Sequence, residues 1–243
     1  MASVPVENSR RPRPGRRFLP IEELELEPDA LRAVRGIPGA HRGVAVFREV
    51  VGPFGIPDFV AVVGPKMALR QRIALGVPPL LNELDAGIVA QVSPRAGKGV
   101  GAIAGRLGWS EGTVERRLPG LLKAGAIRDL GRDRYVRPAE LGPVGKLYAI
   151  ETKVRNFRRA LRQARTYALW CENYVIVMPA LSEASLFEAR EVVAHDRGGL
   201  VVAGKWVQRL RARQLSSARR LWGSEHVVAA VLGTPSPSLA RGK

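Results

Sequence analysis

The heptapeptide Leu147-Tyr148-Ala149-Ile150-Glu151-Thr152-Lys153 decides the fold, because it joins an apolar run to two charged residues. A short apolar run of this kind is typical of a buried β-strand. Side chains alternate along a strand, so Glu151 and Lys153 emerge on one face while Ile150 and Thr152 point the other way. Burying a glutamate and a lysine costs free energy unless they are paired. This cost favours a functional site over the alternative, an ordinary salt bridge on an exposed face.

A second strand with a carboxylate at its start lies far upstream. Pro57-Asp58 opens an apolar run that ends at Val63, and a similar run, Val44–Val51, comes before it. Turn residues separate the two runs, namely Gly52-Pro53 and Gly55, so a β-hairpin is predicted.

Asp58, Glu151 and Lys153 are residue types that suit the hydrolysis of phosphodiesters. Hard Mg²⁺ prefers oxygen ligands and keeps several of its waters. A bound metal ion can acidify water and polarise a phosphate. A lysine beside the phosphorus would offset the charge that develops there.

The chain after residue 143 alternates between strand-like and helix-like segments. The predicted strands are Leu147–Lys153, Tyr174–Met178, Leu200–Val202 and Trp206–Arg211. The predicted helices fall near residues 155–171, 182–195 and 215–231, and a further short helix is expected within residues 21–35. Such alternation indicates an α/β sheet.

Residues 79–138 have a different character, with three helical segments and a small hairpin. Leu80, Leu84 and Ile88 keep the spacing of one buried helical face. A short helix around Ile103 is followed by a Gly-Trp-Ser turn, a third helix and a hairpin with a charged tip.

This stretch resembles a winged helix-turn-helix, most clearly between Val100 and Ile127. The resemblance implies that the second helix of the motif enters the major groove of DNA and that the wing touches the backbone. The DNA-contact candidates are Thr113, Arg116 and Arg117 on that helix, with Arg132 and Arg134 on the wing.

Pro119 departs from the pattern, because it falls inside the predicted third helix. A proline there removes a hydrogen bond and kinks the helix at a cost of ~3 kcal/mol. The kink would alter how the helix docks, or the module would not read bases at all. A winged helix that serves as a protein-protein adaptor is the alternative.

The two strand motifs together resemble the PD-(D/E)xK nuclease superfamily, over residues 21–64 and 144–180. Gln163 lies ten residues after Lys153, and Tyr167 follows four residues later. Together they look like the Gln-x-x-x-Tyr motif of the RecB-like branch. The resemblance implies that Asp58 and Glu151 are metal ligands and that Lys153 is the catalytic lysine. Gln163 and Tyr167 would position the substrate or the site.

The resemblance predicts an α/β fold with a restriction-endonuclease-like mixed-sheet core of order αβββαβ. In the family the two acidic motifs sit on adjacent strands, whereas 93 residues separate Asp58 and Glu151 here. A winged helix-turn-helix domain inserted at the hairpin tip would account for the gap, because a domain with nearby termini can be inserted at a loop. Glu49, on the preceding strand, is a weaker acidic candidate.

The expected organisation has four parts. Residues 21–66 and 144–232 form the nuclease-like core, residues 79–138 the inserted domain, residues 1–20 a flexible basic arm and residues 233–243 a flexible tail.

The charge balance indicates a polyanionic partner. The chain has 39 Lys and Arg against 22 Asp and Glu, a formal net charge of +17. Such a surplus points to nucleic acid before membrane. The excess is concentrated in residues 145–220, and the helix after Lys153 carries a row of arginines: Arg155, Arg158, Arg159 and Arg162. The row could track phosphates, or it could be a solvated helix face.

Several classes of protein are disfavoured. Cys171 is the single cysteine, so there is no disulfide framework and no cysteine-based zinc site. No apolar run reaches membrane-spanning length and no signal-peptide pattern opens the chain, so a cytoplasmic location without a membrane partner is expected.

The leading hypothesis is a Mg²⁺-dependent deoxyribonuclease, with Mn²⁺ as a substitute ion, acting on duplex, single-stranded or branched DNA. The alternative is a non-catalytic DNA-binding protein or regulator on a nuclease-like scaffold. A nuclease subunit that needs a partner protein, and a homodimer, both stay open.

Overall fold

The computed structural model describes residues 22–64 and 66–234. The predicted basic arm, residues 1–20, and residues 235–243 of the predicted tail lie outside this part of the chain. Within it, no helix is both long enough and apolar enough to cross a membrane.

The first half of the described chain contains six helices, two 3₁₀ turns and four strands. In order they are a 3₁₀ turn Glu23–Leu26, α1 Glu27–Val34, a 3₁₀ turn Ala40–Arg42, β1 Val44–Arg48, β2 Phe59–Val63, α2 Lys66–Ala74, α3 Glu83–Gln91, α4 Val100–Leu107, α5 Glu111–Glu115, α6 Leu118–Lys123, β3 Arg128–Asp129 and β4 Tyr135–Val136. The second half contains β5 Lys146–Thr152, α7 Phe157–Tyr167, β6 Asn173–Met178, α8 Glu183–His195, β7 Gly199–Val202, β8 Lys205–Gln208 and α9 Ser217–Leu232.

A six-stranded mixed sheet organises the molecule, so the predicted α/β class is confirmed. Its strand order is β1-β2-β5-β6-β7-β8. β1, β2 and β5 are antiparallel neighbours, β5, β6 and β7 are parallel, and β8 returns antiparallel to β7. When residues 64–145 are left out, the order from α1 to β6 is αβββαβ, the order expected from the sequence.

Both faces of the sheet are covered, which explains why its central strands are apolar throughout. Leu147 and Ala149 of β5 face a core that includes α7 and part of α9. Tyr148 and Ile150 face the opposite core, against α1. Alternate residues of one strand thus enter two different cores, as a strand's geometry requires.

Residues between β2 and β5 build a separate core. Ile88 and Val89 of α3, Ile103 of α4 and Leu121 of α6 are buried together there. The β3–β4 hairpin lies beside these helices, and the backbone of Lys98 pairs with Tyr135 to add a third, one-residue strand. The segment therefore has the order helix, short strand, helices, hairpin.

Pro119 lies in the first turn of a helix and not in its interior, so the predicted kinked third helix is wrong. The chain forms two short helices, α5 and α6, and Pro119 occupies the first turn of α6. Its missing N–H is not needed there, because the first N–H groups of a helix have no intrahelical partner. Ser110 caps α5 by accepting from the N–H of Thr113.

A buried ion pair joins helix α2, which precedes residues 79–138, to the last helix. Arg72 of α2 and Glu225 of α9 are both fully buried, and two guanidinium nitrogens meet the two carboxylate oxygens at 2.9 and 2.6 Å. Arg72 also donates to the carbonyls of Val77 and Pro78, and Glu225 accepts from the N–H of Leu80. We refer to this group as the Arg72–Glu225 clasp.

Helix α9 bridges the two parts of the molecule. Leu221 and Trp222 pack in the core of the inserted segment, whereas Val227 and Val228 pack under the sheet. Trp222 also donates from Nε1 to the carbonyl of Leu81 at 2.9 Å. The sheet and the inserted segment therefore share one helix.

One strand boundary and one helix illustrate where the structure differs from the sequence prediction. The strand expected over Trp206–Arg211 ends at Gln208. Helix α2 was not predicted, although its Arg72 makes the buried clasp.

Candidate functional site

The pairing of β2 with β5 brings Asp58 and Glu151 together. The antiparallel register sets Phe59 opposite Ile150, so Asp58, one residue earlier, lies beside Glu151, one residue later. The 93 residues between them in sequence leave the sheet and return to it. We call Asp58 and Glu151 the acid pair.

Glu151 is buried among charged and polar groups. Its side chain is 1% exposed, with Oε1 3.1 Å from Lys153 Nζ and Oε2 3.0 Å from the Tyr167 hydroxyl. Burial raises the pKa of Glu151 to about 7, the neighbouring Asp58 adds to the rise, and Lys153 and Tyr167 offset it in part. Near neutral pH Glu151 is therefore close to the midpoint of its titration.

Asp58 is held by the residue between Glu151 and Lys153. Its Oδ2 accepts from the backbone N–H of Thr152 at 2.6 Å and from the Thr152 hydroxyl at 2.7 Å. These contacts fix the carboxylate at the start of β2. Thr152 was not singled out from the sequence, although its position inside the Glu-x-Lys motif is a usable signal.

Lys153 lies between two carboxylates, one of which sequence reasoning missed. Its Nζ is 2.8 Å from Glu23 and 3.1 Å from Glu151. Burial by itself would lower the pKa of Lys153, but hydrogen bonds and charge from Glu23 and Glu151 outweigh it, so the pKa is raised. The run of acids from Glu22 to Glu27, set in a very basic chain, was the available signal for Glu23.

Tyr167 connects helix α7 to the acid pair. Its hydroxyl lies 3.0 Å from Glu151 Oε2 and 3.2 Å from the carbonyl oxygen of Ile56 in the β1–β2 turn. Burial and then the charge of Glu151 raise the pKa of Tyr167, so the hydroxyl keeps its proton and donates it. Tyr167 thus contacts Glu151 in the structure, while its predicted role in positioning the site stays a prediction.

Gln163 and Glu49 are less closely tied to the acid pair. Gln163 Oε1 is buried and forms no hydrogen bond within the described part of the chain. Glu49 is exposed, and its backbone N–H donates to the Asp58 carbonyl at 3.1 Å. Its φ of 47° lies in the left-handed region.

A basic cleft opens beside Lys153. It has a volume of about 620 Å³ and is lined by Glu22, Glu23, Lys153, Arg155 and Arg159, among others. Both arginines are exposed. The cleft therefore places two exposed arginines next to Lys153, which in turn contacts Glu151.

The rest of the arginine row is also at the surface. The Arg158 side chain is 79% exposed and only 3.4 Å from exposed Glu188, a contact of little energetic weight. Arg162 is exposed as well. Arg165, one turn further along α7, is bound to Asp196 at 2.6 and 3.1 Å.

The candidates in the inserted segment have different surroundings. Arg116, Arg132 and Arg134 are exposed. Thr113 accepts from Arg116 at 3.2 Å. Arg117 makes a two-point ion pair with Asp85 of α3 at 2.8 and 2.6 Å, so its charge already has a partner.

The acid pair fits a hard divalent cation held by few protein ligands. No group of three or more His, Cys, Asp or Glu side chains in residues 22–64 and 66–234 is arranged to hold a metal ion. Mg²⁺ nonetheless binds proteins through one or two carboxylates and keeps several waters. A cation would also relieve the repulsion between Asp58 and Glu151 and displace the proton that Glu151 otherwise holds.

Comparison with protein-family models, curated proteins and solved structures finds no match for this chain. No relative therefore supplies an activity, a cofactor or a partner by similarity. Fold alone does not define function, so function has to be inferred from the chemistry of the site.

Proposed function

We propose that the chain is a metal-dependent nuclease that cleaves phosphodiester bonds in DNA. One observation carries the proposal: Asp58 and Glu151, 93 residues apart, lie side by side on neighbouring strands, with Lys153 and Tyr167 in contact with Glu151. A chance PD…ExK match would have no reason to converge in this way.

Each residue of the site would have a distinct role. Asp58 and Glu151 would hold Mg²⁺, or Mn²⁺ in its place, and the ion would supply a more acidic water and a polarised phosphate. Thr152 keeps Asp58 in place, and Tyr167 orients Glu151. Lys153 would place positive charge beside the phosphate, where charge develops during cleavage.

The partner would be DNA that enters along the basic cleft. Arg155 and Arg159 line the cleft, and Arg158 and Arg162 continue the positive surface along α7. Contacts with phosphates give affinity without regard to sequence and weaken as salt is added. The row therefore suits holding a strand over the acid pair.

The inserted segment would act as a winged helix that engages DNA. Its order of helix, short strand, helices and hairpin supports this assignment. Arg116, directly after α5, and Arg132 and Arg134 on the hairpin would make the contacts. We assign Arg117 mainly to the ion pair with Asp85, which ties α3 to the end of α5.

Cleavage assays would test the proposal. Plasmid, single-stranded and branched DNA would be incubated with the full chain in Mg²⁺, in Mn²⁺ or in EDTA. We expect cleavage with either metal, none in EDTA, and loss of cleavage in Asp58→Asn and Lys153→Ala. Glu188→Gln, which alters an exposed carboxylate outside the site, is the control. Equal cleavage by the wild type and Asp58→Asn would reject the catalytic proposal.

A specific observation favours a second candidate, a non-catalytic DNA-binding protein. Lys153 is paired with Glu23 as well as with Glu151, so two carboxylates already neutralise its charge. A protein of this kind would shift DNA in gels without cutting it under any metal. Arg116→Ala/Arg132→Ala/Arg134→Ala would then abolish the shift, whereas Asp58→Asn would retain it.

A further inference from the structure

A second basic pocket lies away from the acid pair, at the end of the sheet where β6 and β7 begin. It has a volume of about 580 Å³, and its walls include Arg165, Tyr174, His195, Asp196, Arg197 and Arg213. The acid pair lies at the other end of the parallel strands, where β5 finishes. No residue is shared between this pocket and the cleft beside Lys153.

The charges in the pocket are out of balance. Arg165 and Asp196 neutralise each other through two hydrogen bonds. Arg197 and Arg213 form no ion pair within the described part of the chain, and His195 stands beside them. The lining therefore carries at least two positive charges without a counterion, which an anion would neutralise.

Buried polar residues hold the walls of the pocket in place. Asn173, which is fully buried, donates from its amide to the carbonyls of Arg197 and Arg211 at 2.7 and 2.9 Å. The Tyr174 hydroxyl donates to Asp196 at 2.6 Å, and the N–H of Arg213 donates to the carbonyl of Glu172. Arg197 is kept at φ 59°, in the left-handed region that costs a non-glycine residue free energy.

We propose that this pocket binds a phosphate group. Arginine guanidinium groups form charge-assisted, often two-point hydrogen bonds with phosphate oxygens. The pocket volume admits a phosphate together with an attached sugar. The phosphate could be a backbone phosphodiester or the terminal phosphate of a strand, and both present the same oxygens to Arg197 and Arg213.

Helix α7 sets a distance between the pocket and the cleft beside Lys153. Its first turn lies beside Arg155 and the cleft, and Arg165 near its other end enters the pocket. An 11-residue helix is about 16 Å long, which spans about five base pairs of duplex at 3.4 Å each. A strand held along α7 could thus reach both places, although the pocket would bind phosphate whether or not the acid pair is catalytic.

Binding of inorganic phosphate to the full chain, in EDTA, tests the proposal first. Broadening of the phosphate ³¹P resonance during a titration would report saturable binding by the wild type. We expect Arg197→Ala/Arg213→Ala to bind about tenfold or more weakly, because each arginine makes a charge-assisted bond. Arg128→Ala/Arg190→Ala removes the same charge from exposed positions outside the pocket and should bind as the wild type does. Arg213→Ala alone gives a check that is free of any backbone effect at Arg197.

Short oligonucleotides then distinguish the two sources of phosphate. If a 5′- or 3′-terminal phosphate strengthens binding to the wild type but not to Arg197→Ala/Arg213→Ala, the pocket recognises strand ends. If oligonucleotides with and without a terminal phosphate lose the same affinity in that variant, the pocket holds a backbone phosphate.

Equal phosphate binding by the wild type and by a folded Arg197→Ala/Arg213→Ala, or no phosphate binding by the wild type, would overturn the proposal. Folding is checked by circular dichroism and thermal melting. Asp58→Asn should bind phosphate normally, so failure of the nuclease proposal leaves a different pattern from failure of this one.

Discussion

Two glutamates of this chain are equally buried but have opposite surroundings. Glu225 is fully buried in the Arg72–Glu225 clasp, where both of its oxygens meet guanidinium nitrogens and one also accepts from the N–H of Leu80. Glu151 is as deeply buried, but its burial, and then the carboxylate of Asp58 beside it, raise its pKa.

The comparison separates an architectural role from a chemical one. At the clasp, both charges are paired and the guanidinium also binds the carbonyls of Val77 and Pro78, so the group holds α2 and α9 together and has little capacity left for a ligand. At the acid pair, two carboxyl groups lie side by side in a buried position, and the repulsion between their charged forms opposes folding. Perturbed groups of this kind cluster at functional sites, because a ligand or ion completes them.

Removing one partner of the clasp should have the largest effect on stability. Arg72→Met leaves Glu225 buried without its counter-charge, and we expect the free energy of unfolding to fall by about 3–5 kcal/mol. Urea denaturation would measure the loss. Arg70→Met, at an exposed position of the same helix, should change little.

The double variant Arg72→Met/Glu225→Leu should be less destabilised than Arg72→Met, because it no longer buries an unpaired charge. If the free energy of unfolding of Arg72→Met lies within about 1 kcal/mol of the wild-type value, the clasp does not stabilise the fold as proposed.

Glu151→Gln should instead raise the free energy of unfolding. The folded-state pKa of about 7 lies above the ordinary 4.5, so the folded chain retains a proton that the unfolded chain releases. Stability of the wild type therefore falls as pH rises from the ordinary pKa to about 7, and then levels off. In EDTA the variant should gain up to about 3 kcal/mol above pH 7 and little at the acid end of this window.

Thermal unfolding at a series of pH values would show this divergence. Glu188→Gln, at an exposed site, should follow the wild type at every pH. A Glu151→Gln variant that is less stable than the wild type above pH 7 would contradict the idea that the acid pair is an unfavourable arrangement in the metal-free chain.

Addition of Mg²⁺ should stabilise the wild type by relieving the same repulsion. An ion that binds only the folded chain contributes about 2.7 kcal/mol when its concentration is 100 times Kd. Calorimetric melts with and without Mg²⁺ would give the shift. Asp58→Asn should lose most of it, and an undiminished shift in that variant would place the bound ion elsewhere.

Loss of one hydrogen bond to the acid pair should have the smallest effect. Tyr167→Phe removes the hydroxyl shared between Glu151 and the Ile56 carbonyl, at an expected cost of about 1 kcal/mol in urea denaturation. Tyr135→Phe on the β3–β4 hairpin is the matched control, with an expected change within about 0.5 kcal/mol. If the free energy of unfolding falls equally in both variants, the Tyr167 hydroxyl makes no special contribution to the acid pair.

Local patterns were sufficient to predict most of the sheet and the acid pair. The apolar runs around Ile150 and Val60 carry their own strand signal, and the β1–β2 hairpin has its turn residues between its strands. Tyr167 was singled out with Gln163 because the two resemble the Gln-x-x-x-Tyr motif, and their spacing of four places them on one helical face.

The groups that sequence analysis missed depend on contacts between distant segments. Glu23 reaches Lys153 across 130 positions, and Arg72 reaches Glu225 across 153. Composition marks such residues as charged but does not say what they meet. Pro119 was misplaced for a different reason, because helical spacing continues through α5 and α6 even though the chain breaks between them.

The pairing of β2 with β5 also has a consequence for how the chain is made. Val63 and Lys146 are neighbours in the sheet although 83 residues separate them. At a synthesis rate of about 5–20 residues per second, the β1–β2 hairpin emerges from the ribosome roughly 4–16 s before its partner strand. The edge of β2 is unpaired during that interval, while the local contacts of α3–α6 can already form. A chaperone that shields strand edges would therefore act on this chain early in its synthesis, before α9 arrives to join the two parts.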